Sequence, residues 1–169
     1  MTKTVRNANR TEAAALYSLI ESHRVEGHLL PRSLAELEVH ADRFIVIEEA
    51  GEIVACAELM KLSSQVAEVR SLVVDRNHRG GGVASALMSA LVEAATDAGY
   101  MSLSAFTHSP AFFVRQGFSI VPHTWVPEKI QANCTSCAFF RQCDQYAMLL
   151  PLHLMAGATQ HSRLAASAA

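Results

Sequence analysis

Leu72-Val73-Val74-Asp75-Arg76-Asn77-His78-Arg79-Gly80-Gly81-Gly82-Val83-Ala84 reads as a strand, a polar turn, a run of glycines and the start of a helix. Glycines let backbone N–H groups approach a ligand, and the helix start adds a partial positive charge. Arg76 and Arg79 place full charges beside them. That chemistry favours a phosphate or a pyrophosphate. The bland alternative is a plain strand-to-helix turn. Two nucleotide loops are excluded. There is no G-x-x-x-x-G-K-[ST], and G-x-G-x-x-G fails because Ser85 and Leu87 stand where glycine is required. A single Arg-Gly-Gly step does not make an RNA-binding tract.

Working outward, Val83, Leu87 and Leu91 repeat every four residues, so a long helix covers residues 82–97 and ends at Gly99. Upstream, residues 43–49 and 53–61 form a hairpin about Ala50-Gly51-Glu52, and residues 66–75 form a third strand. Further upstream, residues 11–25 have helical periodicity, and Ser33-Leu34-Ala35-Glu36 has the capping-box pattern of a second, short helix. Downstream, residues 101–107 read as a strand. Ser109-Pro110 reads as the cap of a short helix over 111–116, and a strand over 118–121 follows. Residues 122–145 read as a loop, and 146–152 as a candidate last strand. Strand, helix and strand between Val69 and Thr107 imply a parallel pair with a right-handed crossover. The order defines an α/β or α+β layer fold.

The chain has 169 residues, half of them hydrophobic and 18% charged, enough for one stable core without disulfides. Fourteen Lys and Arg against 16 Asp and Glu give a net charge of −2, which argues against a general nucleic-acid binder. The N-terminal residues lack the apolar run of a secretory signal, and no apolar stretch is long enough for a membrane helix, so the expected location is cytoplasmic. The expected organisation is a single domain over residues 1–155, followed by an Ala- and Ser-rich tail over 156–169 that is disordered. Cys56 stands alone, and Cys134, Cys137 and Cys143 crowd together; all four are expected as reduced thiols. Structural zinc wants four ligands, so the three crowded thiols would need His123 or His153 as the fourth. The spacing is loose, and no metal is assigned.

Arg79-Gly80-Gly81-Gly82-Val83-Ala84 resembles the [RQ]-x-x-G-x-[GA] signature of the GCN5-related N-acetyltransferases (the GNAT family). Ser109 to Phe118, with Phe112, Phe113 and Arg115, resembles that family's aromatic helix followed by Gly-Phe. The resemblance covers roughly residues 4–152 in element order. It implies the GNAT fold: a mixed, mostly antiparallel central sheet with a splayed parallel pair and helices on both faces. It implies acetyl-CoA as cosubstrate, its pyrophosphate on Arg79, Gly80, Gly81, Gly82, Val83 and Ala84. The pantetheine arm would lie on the backbone of Leu72, Val73 and Val74, with Phe112, Phe113 and Arg115 also against the coenzyme. Backbone N–H of Val73 or Val74 would polarise the thioester. Gly27 to Ser33, Glu68 to Leu72 and Pro127 to Ile130 with the Cys segment resemble the stand-alone amino-acid N-acetyltransferases. Those are similar to the acetyltransferase domain of N-acetylglutamate synthase. The implied acceptor is L-glutamate, in arginine biosynthesis. The chain has no room for the amino-acid-kinase domain that many such synthases carry, which bears on feedback control. Family members are often dimers.

Acetyl transfer requires a base for the amine, a polarised carbonyl and aligned substrates. Glu68 is the candidate catalytic base, acting through a water, because the family often places an acid there; a solvated strand glutamate is the alternative. Arg32, Arg70 and Lys129 are the candidate cations for the acceptor's carboxylates, since Arg binds a carboxylate bidentately, and Ser71 is a further donor. Surface ion pairs are the alternative for each. Many relatives place a Tyr in the aromatic helix as general acid. Phe112 and Phe113 cannot donate a proton, which leaves the acid unassigned, with Ser109 and Tyr146 as weak candidates. Other readings are a GNAT enzyme acting on another small amine, such as a polyamine, and a silent CoA-binding regulatory module.

Overall fold

A computed structural model describes residues 2–26 and 29–153. The expected disordered tail, 156–169, and the Gly27-His28 pair of the narrower resemblance lie outside the described residues. The chain divides into two compact units, Met1–Met60 with Glu68–Leu91, and Lys61–Ala67 with Val92–Ala169.

In the first unit, β1 (Lys3–Asn7), β2 (Phe44–Glu49), β3 (Glu52–Lys61) and β4 (Val66–Val74) lie side by side in chain order. β1 and β3 both pair antiparallel with β2. The β2–β3 turn places Ala50 at φ 53° and Gly51 at φ 84°, the left-handed pair that matches the twist of a two-residue hairpin. The sequence reading missed β1. Its five residues carry one aliphatic side chain and are mostly exposed, so no alternating pattern marks this edge strand.

α1 (Ala13–Arg24) buries Leu16, Leu19 and Ile20, the stripe that its periodicity predicts. A capping box precedes it, but at Asn9 and Glu12. At Ser33 the expectation is half met. The Ser33 hydroxyl accepts from the Glu36 N–H at 3.1 Å to cap α2 (Leu34–His40), while the Glu36 carboxylate turns to Arg32. Leu16, Ile20, Leu37 and Phe44 close into one core with Val46, Cys56 and Val73. Each fully buried side chain of this size contributes roughly 1.5–3 kcal/mol.

α3 (Val83–Asp97) runs from the first unit into the second, and Gly99 at φ 82° follows its end. In the second unit β5 (Ser102–Thr107), β7 (Tyr146–Pro151) and β6 (Ser119–Val121) are neighbours in that order, β7 antiparallel to both others. The last strand thus inserts between two that precede it. Ser102 N donates to Gln65 O and Ser104 Oγ to Ala67 O, so β5 and the start of β4 advance in the same direction.

α4 (Pro110–Arg115) starts at its proline, but the Ser109 side chain makes no cap; Ser109 N donates to Thr107 Oγ1 instead. Within the stretch read as a loop lies α5 (Pro127–Ala132), six residues opened by Pro127 and too short for periodicity to declare. A small core of Val121, Val126 and Ala147 packs with Phe106 and Leu149. Among the described residues no helix is long and apolar enough to cross a membrane.

Candidate active site

The glycine-rich turn is built as the sequence implied. Asp75 caps a short 3-10 turn, accepting from Asn77 N at 2.9 Å and His78 Nδ1 at 3.0 Å. The His78 contact, then the Asn77 N–H, holds the Asp75 carboxyl below its ordinary range. Asp75 N in turn donates to Val54 O, tying the turn to β3. Arg79 Nε donates to Val74 O at 3.2 Å. Gly80 and Gly82 adopt φ 82° and 75°, and a Cβ at either would meet nothing within 4 Å. Glycine is thus required by backbone conformation, and the turn faces open space. Lys3 Nζ lies 3.9 Å from the Cβ position of Gly81, a third cation beside Arg76 and Arg79. Val83 is buried and starts α3, and Ala84 is half-buried behind it.

Immediately upstream, β4 is distorted. Ser71 has φ 50°, which costs a non-glycine residue roughly 1–2 kcal/mol. Around it Val69 and Val73 are buried and Leu72 and Val74 half-buried. The Ser71 hydroxyl accepts from Arg32 Nη1 at 3.0 Å. The same Nη1 donates to Glu58 Oε2 at 2.8 Å. Arg32 is 7% exposed and Glu58 1%. Burial opposes the Arg32 charge, but the Glu58 hydrogen bond and the attraction of Glu58 and Glu36 outweigh it, so the guanidinium stays firmly protonated. Its Cζ lies 5.8 Å from the centre of the Phe44 ring. Arg32 Nε is buried without a hydrogen-bond acceptor, and Nη2 meets Glu36 Oε1 at 2.9 Å. Nε and Nη2 form the edge of a guanidinium that takes a carboxylate in two parallel hydrogen bonds.

Glu68 is 3% exposed, which removes the solvated-strand alternative. Its Oε2 lies 3.8 Å from Arg70 Nε, and Arg70 is half-buried on the same strand. The first unit therefore brings Arg32 and Ser71 together, and carries Glu68, Arg70 and the glycine turn on and after β4. Glu58 escaped the sequence reading. The available signal was one carboxylate inside the apolar run of residues 53–60. Lys3 gave no signal at all.

The remaining candidates belong to the second unit. Phe113 is buried, edge-on to Phe112 and Phe118 with ring centres 5.4 and 5.3 Å away, so it builds the core of its own unit. Phe112 is half-buried and Arg115 exposed. Lys129 is buried, with Nζ in cation–π contact 5.2 Å from the centre of the Phe106 ring. Tyr146 and Ser109 are exposed. Cys143 Sγ lies 3.8 Å from His123 Nε2, and Asp144 meets His108 Nε2 at 2.9 Å. Among the described residues no three His, Cys, Asp or Glu side chains gather as metal ligands.

Residues 10–118 match the acetyltransferase (GNAT) family model. The chain belongs to that family, a class of N-acetyltransferases, and the glycine turn after a distorted strand lies within the matched segment. Among relatives, it is 29% identical to an uncharacterized N-acetyltransferase of Chlorobaculum tepidum, over 88% of this chain and 96% of that one. It is 30% identical to the amino-acid acetyltransferase of Shewanella oneidensis over 74% of this chain, but spans only 28% of that protein. Among solved structures, N-acetylglutamate synthase from Neisseria gonorrhoeae, complexed with coenzyme A and N-acetyl-glutamate, superposes with a TM-score of 0.81 at 23% identity. That match covers 90% of this chain and 36% of the synthase, and it establishes the GNAT fold.

Proposed function

We propose that the chain transfers the acetyl group of acetyl-CoA to the α-amine of an amino acid, with L-glutamate the favoured acceptor, in the cytoplasmic synthesis of arginine. One observation carries the acceptor class: the buried Arg32 guanidinium, whose Nε lacks a hydrogen-bond acceptor. A buried donor left unpaired costs about 1–3 kcal/mol, and a substrate carboxylate would satisfy it from the edge that Nε shares with Nη2, where Glu36 already stands. A polyamine would require the opposite charge there.

The glycine turn suits the donor. Open space over Gly80 and Gly82, with Arg79, Arg76 and Lys3 around it, fits a diphosphate. Acetyl-CoA supplies an acyl carbon activated as a thioester. Arg32 takes one acceptor carboxylate, and Arg70 is the cation proposed for the other. Ser71, held by Arg32, orients the acceptor beside the distorted strand. Glu68 takes the proton of the acceptor's ammonium group through a water, leaving a neutral amine. Backbone N–H of Val73 or Val74 polarises the carbonyl.

The test is release of free CoA thiol from acetyl-CoA with a panel of L-amino acids and polyamines. A response confined to L-glutamate, with a raised KM for glutamate in Arg32→Ala, is expected. A polyamine response would overturn the acceptor class, and silence across the panel with CoA still bound would favour a non-catalytic module.

A further inference from the structure

Arg76 and Arg79 already hold an anion. Glu26, just after the end of α1, accepts from Arg76 Nε at 2.8 Å and from Arg79 Nη2 at 3.1 Å on each oxygen. One carboxylate thus engages two arginines that lie 50 and 53 positions further along the chain. Arg79 is anchored through Nε to Val74 O and gives Nη2 to Glu26. These are the charges that the glycine turn offers to a phosphate. All three side chains keep substantial exposure, with Glu26 at 28%. Exposed pairs of this kind are weak and exchange readily.

We propose that Glu26 is an internal stand-in for the donor's phosphates, holding Arg76 and Arg79 in place when no coenzyme is bound and competing with it for them. The proposal rests on the reading of the glycine turn as the coenzyme site. Glu26 then sets the affinity for phosphate-bearing donors and not for the thiol-bearing arm. The competition is electrostatic: the carboxylate must release its arginines before a phosphate takes them, and removing the carboxylate removes that cost.

The experiment is calorimetric binding of CoA and of pantetheine, which lacks phosphates, to the full chain and to Glu26→Gln, Glu26→Ala and Arg79→Ala, so no acceptor need be known. Both Glu26 variants should bind CoA about two- to fivefold more tightly, the range of an exposed ion pair. Pantetheine binding should not change, and the gain should shrink at high salt. Arg79→Ala should weaken CoA severalfold. Unchanged or weakened CoA binding in both Glu26 variants, with Arg79→Ala still weakening it, would overturn the role of Glu26 alone. If Arg79→Ala leaves CoA affinity unchanged, the coenzyme site falls and this proposal with it.

Discussion

Arg32 Nη1 lies 2.8 Å from Glu58 Oε2 with both side chains almost wholly buried, so the charge proposed for the acceptor is itself held by an internal carboxylate. Removing Glu58 leaves the buried guanidinium with Glu36 as its remaining carboxylate, and removing Arg32 leaves Glu58 with Arg43 at 4.0 Å. Glu58→Gln or Glu58→Ala should cost about 3 kcal/mol, the low end for a broken buried pair, read by urea denaturation. The double variant Arg32→Met with Glu58→Leu should recover most of that loss, because an apolar pair needs no solvation. It should not recover acceptor binding. Equal loss in the single and double variants would show that the pair does not act as a unit.

Glu68 is buried on the strand that leads to the distorted Ser71. A base at this place should account for about 10²–10⁴ in rate. Glu68→Gln should therefore lower kcat by that order. Its KM for acetyl-CoA should hold. Unchanged kcat would sink the assignment.

The glycine turn was legible because its chemistry is local: Arg79 and three glycines on a strand-to-helix step determine backbone conformation and charge within a few residues. The long helix and the central hairpin were legible for the same reason, each being periodic or bounded by turn residues. β1 was not, because an exposed edge strand carries no alternation. α5 was not, because six residues make less than two turns. The partners of the site residues were hidden for a different reason. Glu58 and Arg32 are 26 positions apart, and Glu26 and Arg79 are 53. Such pairs exist only once the chain has folded. The same applies to Lys129, whose Phe106 partner lies on β5.

Among the described residues two non-glycine residues have positive φ, Ala50 at 53° and Ser71 at 50°, and they should respond differently to glycine. Ala50 is an exposed hairpin residue, so Ala50→Gly should relieve strain and raise stability by about 0.5–1 kcal/mol after the entropy of glycine is counted. Ser71→Gly gains the same relief but deletes the hydroxyl that Arg32 Nη1 meets, a charge-assisted bond worth about 1.5–3 kcal/mol. It should be destabilising. Thermal unfolding of both variants checks the contrast.

The thiols should separate by environment. Burial pushes the Cys56 thiol up to about 12, because its thiolate would have no solvation, and the nearby Arg32 charge only partly offsets this. Cys137 and Cys143 are exposed. In the native protein at pH 8 an alkylating reagent should label Cys137 and Cys143 and leave Cys56 untouched until denaturant is added. Mass spectrometry of the labelled peptides reads the order directly.

Acid should act first through carboxylates paired with arginine. Glu12 takes two hydrogen bonds from Arg6, at 2.6 and 3.0 Å, and a third from Asn9 N, joining the start of α1 to β1. The Arg6 bonds, opposed by a smaller burial effect, hold the Glu12 carboxyl below its ordinary value of 4.5. A carboxyl depressed in the folded state binds fewer protons there than in the unfolded chain. Its stabilisation is therefore complete above about pH 4.5 and is lost as the pH falls through the lower folded value. The Tm of the wild type should fall between about pH 5 and 3, and that of Glu12→Gln should fall less over the same window while starting lower at pH 7. If both fell in parallel, the Arg6–Glu12 pair would not be the acid-sensitive link between α1 and β1.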